Sequence, residues 1–313
     1  MANRWWIPAG AAAAVVLIAA GTALALRGDV EPPASAPALA PASGAASPLD
    51  QLRVRNGDTV TASGTVVASP GRPVRFCAPV PVAAVGTFGP EQPPACSLGV
   101  DLVGGDTGRL TGPKAFRDTR WGQAAITGRY ADGTITVTAQ GAPVARPDRA
   151  LDLPERPPCP APTGGWQPGP ADRAGIDALT AVVTRRPAAY GEVVMTYPDG
   201  RPSGPEAATE VLMVTTTLPL ATGEKELRAR FAGNLCVRPA ARSRSATGAV
   251  WTRIQADTTT WQRYGVFEGG PDYLAGRARV ALVVLDDAAY GWLTDAAAGS
   301  PAIDADPWLR PAD

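Results

Sequence analysis

Between Ile7 and Leu26 the chain reads IPAGAAAAVVLIAAGTALAL, 20 consecutive positions without a charge. At ~1.5 Å rise per residue such a helix is about 30 Å long, enough to cross the hydrocarbon core of a bilayer. Trp5 and Trp6 stand at its start, where indole rings favour the headgroup boundary, and Arg4 precedes them. The N-terminus is therefore expected inside and everything beyond the run outside, with the lipid bilayer as the partner of residues 7–26. A cleaved signal peptide is the competing reading, because Ala23-Leu24-Ala25 fits a small-residue cleavage site. The run exceeds the usual ~7–15-residue apolar region of such peptides, which favours an uncleaved anchor.

From Val30 to Pro48 the sequence is VEPPASAPALAPASGAASP. Proline, alanine and serine in that proportion bury no core and favour extended polyproline II, so this segment is expected to be a stalk. At ~3.1 Å per residue it reaches at most about 60 Å from the membrane.

Outside the cell, cysteines oxidise. The chain has four, Cys77, Cys96, Cys159 and Cys236, with no C-x-x-C pair and no histidine anywhere to complete a zinc site. Two structural disulfides are expected, and of the three possible pairings Cys77–Cys96 with Cys159–Cys236 keeps each bond inside one domain. The missing histidine also removes the commonest general base and every Ser-His or Cys-His nucleophile.

From Leu52 to Gln140 short β-like runs alternate with turn residues. Thr59 to Val67 and Pro73 to Cys77 flank Ser69-Pro70-Gly71-Arg72 as a hairpin, Ser97 to Val103 alternates, and Gln123 to Tyr130 turns through Ala131-Asp132-Gly133 into Thr134 to Thr138. Five strands in about 90 residues lose their exposed edges most simply by curling closed, so a barrel of the oligonucleotide/oligosaccharide-binding (OB) type is expected. After a Pro-rich passage the pattern changes. Helices are expected around Ile176–Val183, Gly223–Phe231, Val250–Ile254 and Tyr290–Leu293, and strands over Glu210–Leu218, Leu235–Val237 and Arg277–Leu285. The expected architecture is thus multi-part. Residues 1–27 form a cytoplasmic tip and single transmembrane helix, 28–50 the stalk, 51–140 a small all-β OB-like domain and 141–158 a linker. Residues 159–313 form an α+β domain with a mainly antiparallel sheet.

The second half carries Cys159-Pro160-Ala161-Pro162-Thr163-Gly164-Gly165-Trp166, then Gly233-Asn234-Leu235-Cys236-Val237, then Val283-Val284-Leu285-Asp286-Asp287. The first half carries Val74-Arg75-Phe76-Cys77-Ala78-Pro79 and Cys96-Ser97-Leu98-Gly99-Val100. In these motifs the chain resembles uncharacterised membrane-anchored extracytoplasmic proteins of high-GC Gram-positive bacteria (actinobacteria). The resemblance implies an envelope location and a disulfide between the CPxPxGGW and GxLCV motifs, and it implies no activity. The chain's near-exclusive use of Arg, with Lys114 and Lys225 the sole lysines, fits a GC-rich genome.

Site readings are sparse. Formal charge is zero, with 29 basic and 29 acidic residues, so no nucleic-acid partner is expected. Neither lysine sits in a phosphate-cradling glycine loop. Asp286 and Asp287 are expected to cap a helix rather than act as paired carboxylates. Asp304 and Asp306 are expected in a solvated terminus, not around a cation. Arg238, Arg242 and Arg244 cluster at a strand-to-helix connection and are the candidate anion-binding set. Phe76, Trp121 and Tyr130 are the candidate ligand face of the β domain, whereas Trp166, Trp251, Trp261 and Trp292 are expected in the core or the domain seam. No catalytic residue, metal or cofactor is assigned. The resulting expectation is a non-enzymatic binding or scaffolding protein whose partner is a cell-envelope protein or polymer, with a glycan-active enzyme using carboxylates alone as the alternative.

Overall fold

The computed structural model describes residues 48–79, 92–145, 154, 156–200, 209–256 and 258–312. The apolar run and nearly all of the stalk lie outside them, and among the described residues no helix is long and apolar enough to cross a membrane. Residues 46–313 form one compact unit.

A short helix, α1 (Pro48–Gln51), leads into β1 (Thr59–Ala68), β2 (Val74–Cys77), β3 (Gly99–Val103), β4 (Thr111–Phe116), β5 (Thr119–Ala131) and β6 (Thr134–Gly141). β1 and β2 make the expected hairpin. The β5–β6 turn places Asp132 at φ 46° and Gly133 at φ 80°, the left-handed pair that a two-residue hairpin needs to match strand twist. Pairing runs β1-β2-β3-β6-β5 and returns from β5 to β1, from Thr59↔Arg129 to Ala68↔Arg120. Five strands are thereby joined in a ring, antiparallel except for β3 beside β6. Its interior holds Val60, Val66, Phe76, Val100, Leu102, Ile126 and Ile135, all buried. β4 is the one strand of this part exposed at every position. Pro113 and Lys114 on that edge are residues that discourage pairing with another chain.

The second half supplies α2 (Arg173–Arg185), β7 (Tyr190–Thr196), β8 (Val211–Thr216), α3 (Leu220–Arg228), β9 (Leu235–Pro239), α4 (Arg244–Gln255), α5 (Thr258–Arg263), β10 (Val266–Asp272), β11 (Arg277–Val284), α6 (Asp287–Ala297) and β12 (Ile303–Pro311). Their ends follow local chemistry. Asp172 caps α2 by accepting from Gly175 N, and Pro187 lies just beyond its end; Ser243 caps α4 by accepting from Ala246 N. β7, β8 and β9 form a small sheet. Its central strand β8 is buried throughout, with Leu212 and Val214 toward α2 and α3 and Val211 and Met213 toward the Cys159–Cys236 disulfide. The other three strands extend the large sheet, in the order β10-β11-β12-β1, with α4 and α6 packed on Ala278, Val280 and Leu282 of β11.

Three expectations change. The sheets of the second half are mixed rather than mainly antiparallel, because β8 and β9 are parallel, as are β11 and β12. A helix lies between the strands of each pair, and a helical crossover returns the chain to run in the same direction. The solvated terminus expected for Asp304 and Asp306 is instead β12, with Ala305, Trp308 and Leu309 buried and Asp306 paired with Arg310. Its two prolines obscure it as a strand. Pro307 is in register with Leu282 of β11, and the ladder to β1 begins only at Arg310 and Pro311. Finally, the Pro-rich passage separates two halves of the sequence but not two sheets, since β12 of the second half lies directly against β1 of the first.

Candidate functional site

A cleft of about 650 Å³ opens where one end of the strand ring meets α5, β11 and the start of α6. From the ring come Asn56, Ser97, Tyr130 and Asp132; from the other side come Gln262, Arg263, Tyr264 and Asp286. The ring side is stiffened by a reciprocal clamp. Asn56 Nδ2 donates to Asp132 Oδ1 at 2.7 Å, and Asp132 N donates to Asn56 Oδ1 at 3.0 Å, tying the segment before β1 to the β5–β6 turn. On the far side Asp286 Oδ1 accepts from Ala289 N at 2.8 Å, fixing the first turn of α6, and Tyr264 stacks on Trp292 with ring centroids 5.1 Å apart.

Tyr130 stands between these walls. Its ring is buried in the ring interior, and burial, helped by the negative charges of Asp286 and Asp132, pushes its hydroxyl above the ordinary phenol value against an opposing Gly133 backbone hydrogen bond. A neutral phenol therefore faces the cleft at physiological pH. The carboxylates of Asp132, Asp286 and Asp287, the phenols of Tyr130 and Tyr264, the amides of Asn56 and Gln262 and the guanidinium groups of Arg55 and Arg263 line it, a set suited to hydrogen bonding a hydroxyl- and amide-bearing chain.

The sequence-based sites redistribute. Phe76, Trp121 and Tyr130 are all buried, so they form no exposed concave face. Phe76 lies under Trp308, Trp121 covers the Cys77–Cys96 disulfide with Val67, and only Tyr130 reaches the cleft. Aromatic side chains on short strands were needed to fill a small ring. Arg238, Arg242 and Arg244 do not act together. Arg242 donates to the carbonyls of Gly276 and Pro301, while Arg244 pairs with Glu192 at 3.5 Å and lies 4.1 Å over the Tyr273 ring. Arg238 is exposed on β9 and lines a separate cavity.

Other readings hold. The disulfides are Cys77–Cys96 and Cys159–Cys236. Asp286 is the cap of α6, and Asp287 forms an ion pair with Arg53 at 3.4 Å. Trp251 and Trp261 pack edge to face, Trp261 donating to Ile254 O, and Trp166 packs by the second disulfide. Asn56, Asp132, Gln262, Arg263 and Tyr264 are among the cleft residues that sequence reasoning missed. Of these only Asp132 carried a signal, as the first residue of an Asp-Gly turn.

No protein-family model matches this chain, and no curated protein matches it.

Proposed function

We propose that this chain is a membrane-anchored extracytoplasmic protein that binds or scaffolds at the cell envelope, and that its cleft holds a hydroxyl- and amide-bearing envelope polymer. The cleft carries the reading, because it is built jointly by both halves and lined by hydrogen-bonding side chains on stiffened supports. The uncharged run Ile7–Leu26 supports the anchor, and the two disulfides support an oxidising compartment. The resemblance to envelope proteins of high-GC Gram-positive bacteria points the same way. We read the strand ring as an OB-like barrel, supported by its order β1-β2-β3-β6-β5 with one parallel pair.

The test has two arms. The full-length protein is expected in the membrane fraction after a high-salt wash, with its C-terminus open to external protease; a mature chain beginning near Leu26 in the medium overturns the anchor. Purified envelope polymer is expected to bind the wild type, and Gln262→Ala with Arg263→Ala to weaken binding about tenfold without moving Tm. Binding that is unchanged in this double variant removes the cleft from the reading.

One observation favours a second reading. Asp132 and Asp286, remote in sequence, both line the cleft, and carboxylate-only glycan cleavage works through such a pair. Glycoside turnover lost in Asp132→Asn at unchanged Tm would favour it.

A further inference from the structure

We propose that a second cavity, in the seam between the two sheets, is a seat for an oxyanion carried on a short apolar stem, with Arg238 and Arg277 as its anion-binding pair. The cavity holds about 360 Å³ and lies between the ends of β8 and β9 on one side and the β10–β11 turn on the other. Strand geometry puts the two arginines there. On β11, Ala278, Val280 and Leu282 face the helices, so Arg277 and Arg279 project from the opposite face. On the small sheet Arg238 is in register with Thr215, and Arg238, Thr215 and Met213 all line the same space.

Two acidic side chains, Asp272 and Asp304, and a third arginine, Arg279, also line this cavity, and each has a partner. Asp272 Oδ1 accepts from Leu274 N at 3.1 Å and Ala275 N at 2.9 Å, holding the β10–β11 turn. Arg238 and Arg277 have no side-chain partner among the described residues. Two guanidinium groups facing one partly enclosed space repel each other, and an oxyanion between them relieves that repulsion while accepting the planar N–H forks that suit phosphate and carboxylate.

The rest of the lining selects the remainder of the ligand. Met213, Leu274, Ala275 and Pro239 form apolar wall, and the volume exceeds what a bare phosphate fills. Arg242 is a positioning residue here rather than a ligand-binding one, because it donates to Gly276 O and so holds the turn that presents Arg277. This seat is independent of the polymer cleft.

The test is calorimetric titration of the full chain in non-ionic detergent with butyl phosphate, inorganic phosphate and butylamine. Butyl phosphate is expected to bind most tightly, inorganic phosphate at least fivefold more weakly, and butylamine not at all. R238Q and R277Q should each weaken butyl phosphate about tenfold, with unliganded Tm unchanged, and R277K should weaken it less than R277Q. Raising NaCl should lower the affinity, and Gln262→Ala should not change it. No binding of either phosphate, or equal binding by the R238Q/R277Q double variant, overturns the seat. Equal affinity for inorganic and butyl phosphate overturns the apolar stem.

Discussion

Trp308 donates its indole N–H to the main-chain carbonyl of Ser63 at 2.8 Å, across 245 positions of sequence. The same ring packs on Phe76, with centroids 4.4 Å apart, so the last strand of the chain closes the core of the first strand ring. Trp308→Ala removes a buried aromatic and orphans a carbonyl, at a cost of about 3–5 kcal/mol. Trp308→Phe retains most of the packing and should cost less. Urea unfolding should show one transition in which both halves melt together. A fragment from residue 155 to 313 should be poorly folded, because β12 would lose both β1 and Phe76; a cooperative melt of that fragment near the parent Tm would contradict this.

Glycine substitutions test the same contact from the other side. A Cβ at Gly64 would stand 2.8 Å from both Cys77 O and Trp308 Cζ2, too close for either to remain in place. Gly64→Ala should destabilise by roughly 1–3 kcal/mol. Gly291, inside α6, has open space around it, so Gly291→Ala should stabilise by about 0.5–1 kcal/mol through lower unfolded-chain entropy. Opposite shifts in urea midpoint for the two variants are the expected result.

These contacts also mark where sequence reasoning works. Elements announced by local chemistry were legible: a helix opening near Pro170 and stopping before Pro187, which Asp172 caps, one behind Ser243 or Ser245, which Ser243 caps, one behind Asp286 or Asp287, which Asp286 caps, and the Ala131-Asp132-Gly133 turn. β12 was not, because IDADPWLRP neither alternates cleanly nor avoids proline, and its strand state depends on β11 and β1 lying beside it. The cleft was illegible for a related reason. Asn56, Asp132, Gln262 and Asp286 meet only when that strand brings the halves together, and no spacing encodes the meeting.

The disulfides close loops of unequal length, 19 and 77 residues of separation. Chain-entropy reasoning assigns about 3 kcal/mol to the shorter and about 4.5 kcal/mol to the longer. Replacing Cys159 and Cys236 by serine should therefore lower the urea midpoint more than replacing Cys77 and Cys96. Denaturation of the two double variants checks the order, and an inverted order would mean that folded-state packing around Trp121 outweighs loop length.

Two glutamates should give stability opposite pH dependences. Hydrogen bonding to Arg186 is the main cause holding the Glu226 carboxyl below its usual value, with Tyr190, itself raised to about 12, donating to the same carboxylate. A lowered carboxylate contributes stability above its unfolded pKa and loses it as pH falls through the folded one. Burial raises Glu192 despite the opposing charge of Arg244, so its contribution is complete below the unfolded pKa and is lost as pH rises through the folded one. Glu226→Gln should therefore be less stable than wild type at pH 7, with the deficit shrinking toward pH 4. Glu192→Gln should gain on wild type as pH rises from 4 to 7. Thermal melts at both pH values read each difference.

Asp286 joins fold and cleft, since one carboxylate both caps α6 and adds negative charge near Tyr130. Asp286→Ala should cost about 0.5–2 kcal/mol as a lost cap. It should also lower the Tyr130 pKa, though not to the ordinary phenol value, because burial is the larger cause and remains. Asp287→Ala loses a helix-dipole charge and an exposed ion pair with Arg53, should cost less than about 1 kcal/mol, and should leave Tyr130 unmoved. Ultraviolet titration of tyrosine ionisation alongside Tm separates the two variants. If Asp286→Ala shifts Tm but not Tyr130, the carboxylate acts on the helix alone and its charge does not shape the cleft. If it moves Tyr130 and also weakens polymer binding, the cap of α6 doubles as part of the cleft's hydrogen-bonding wall.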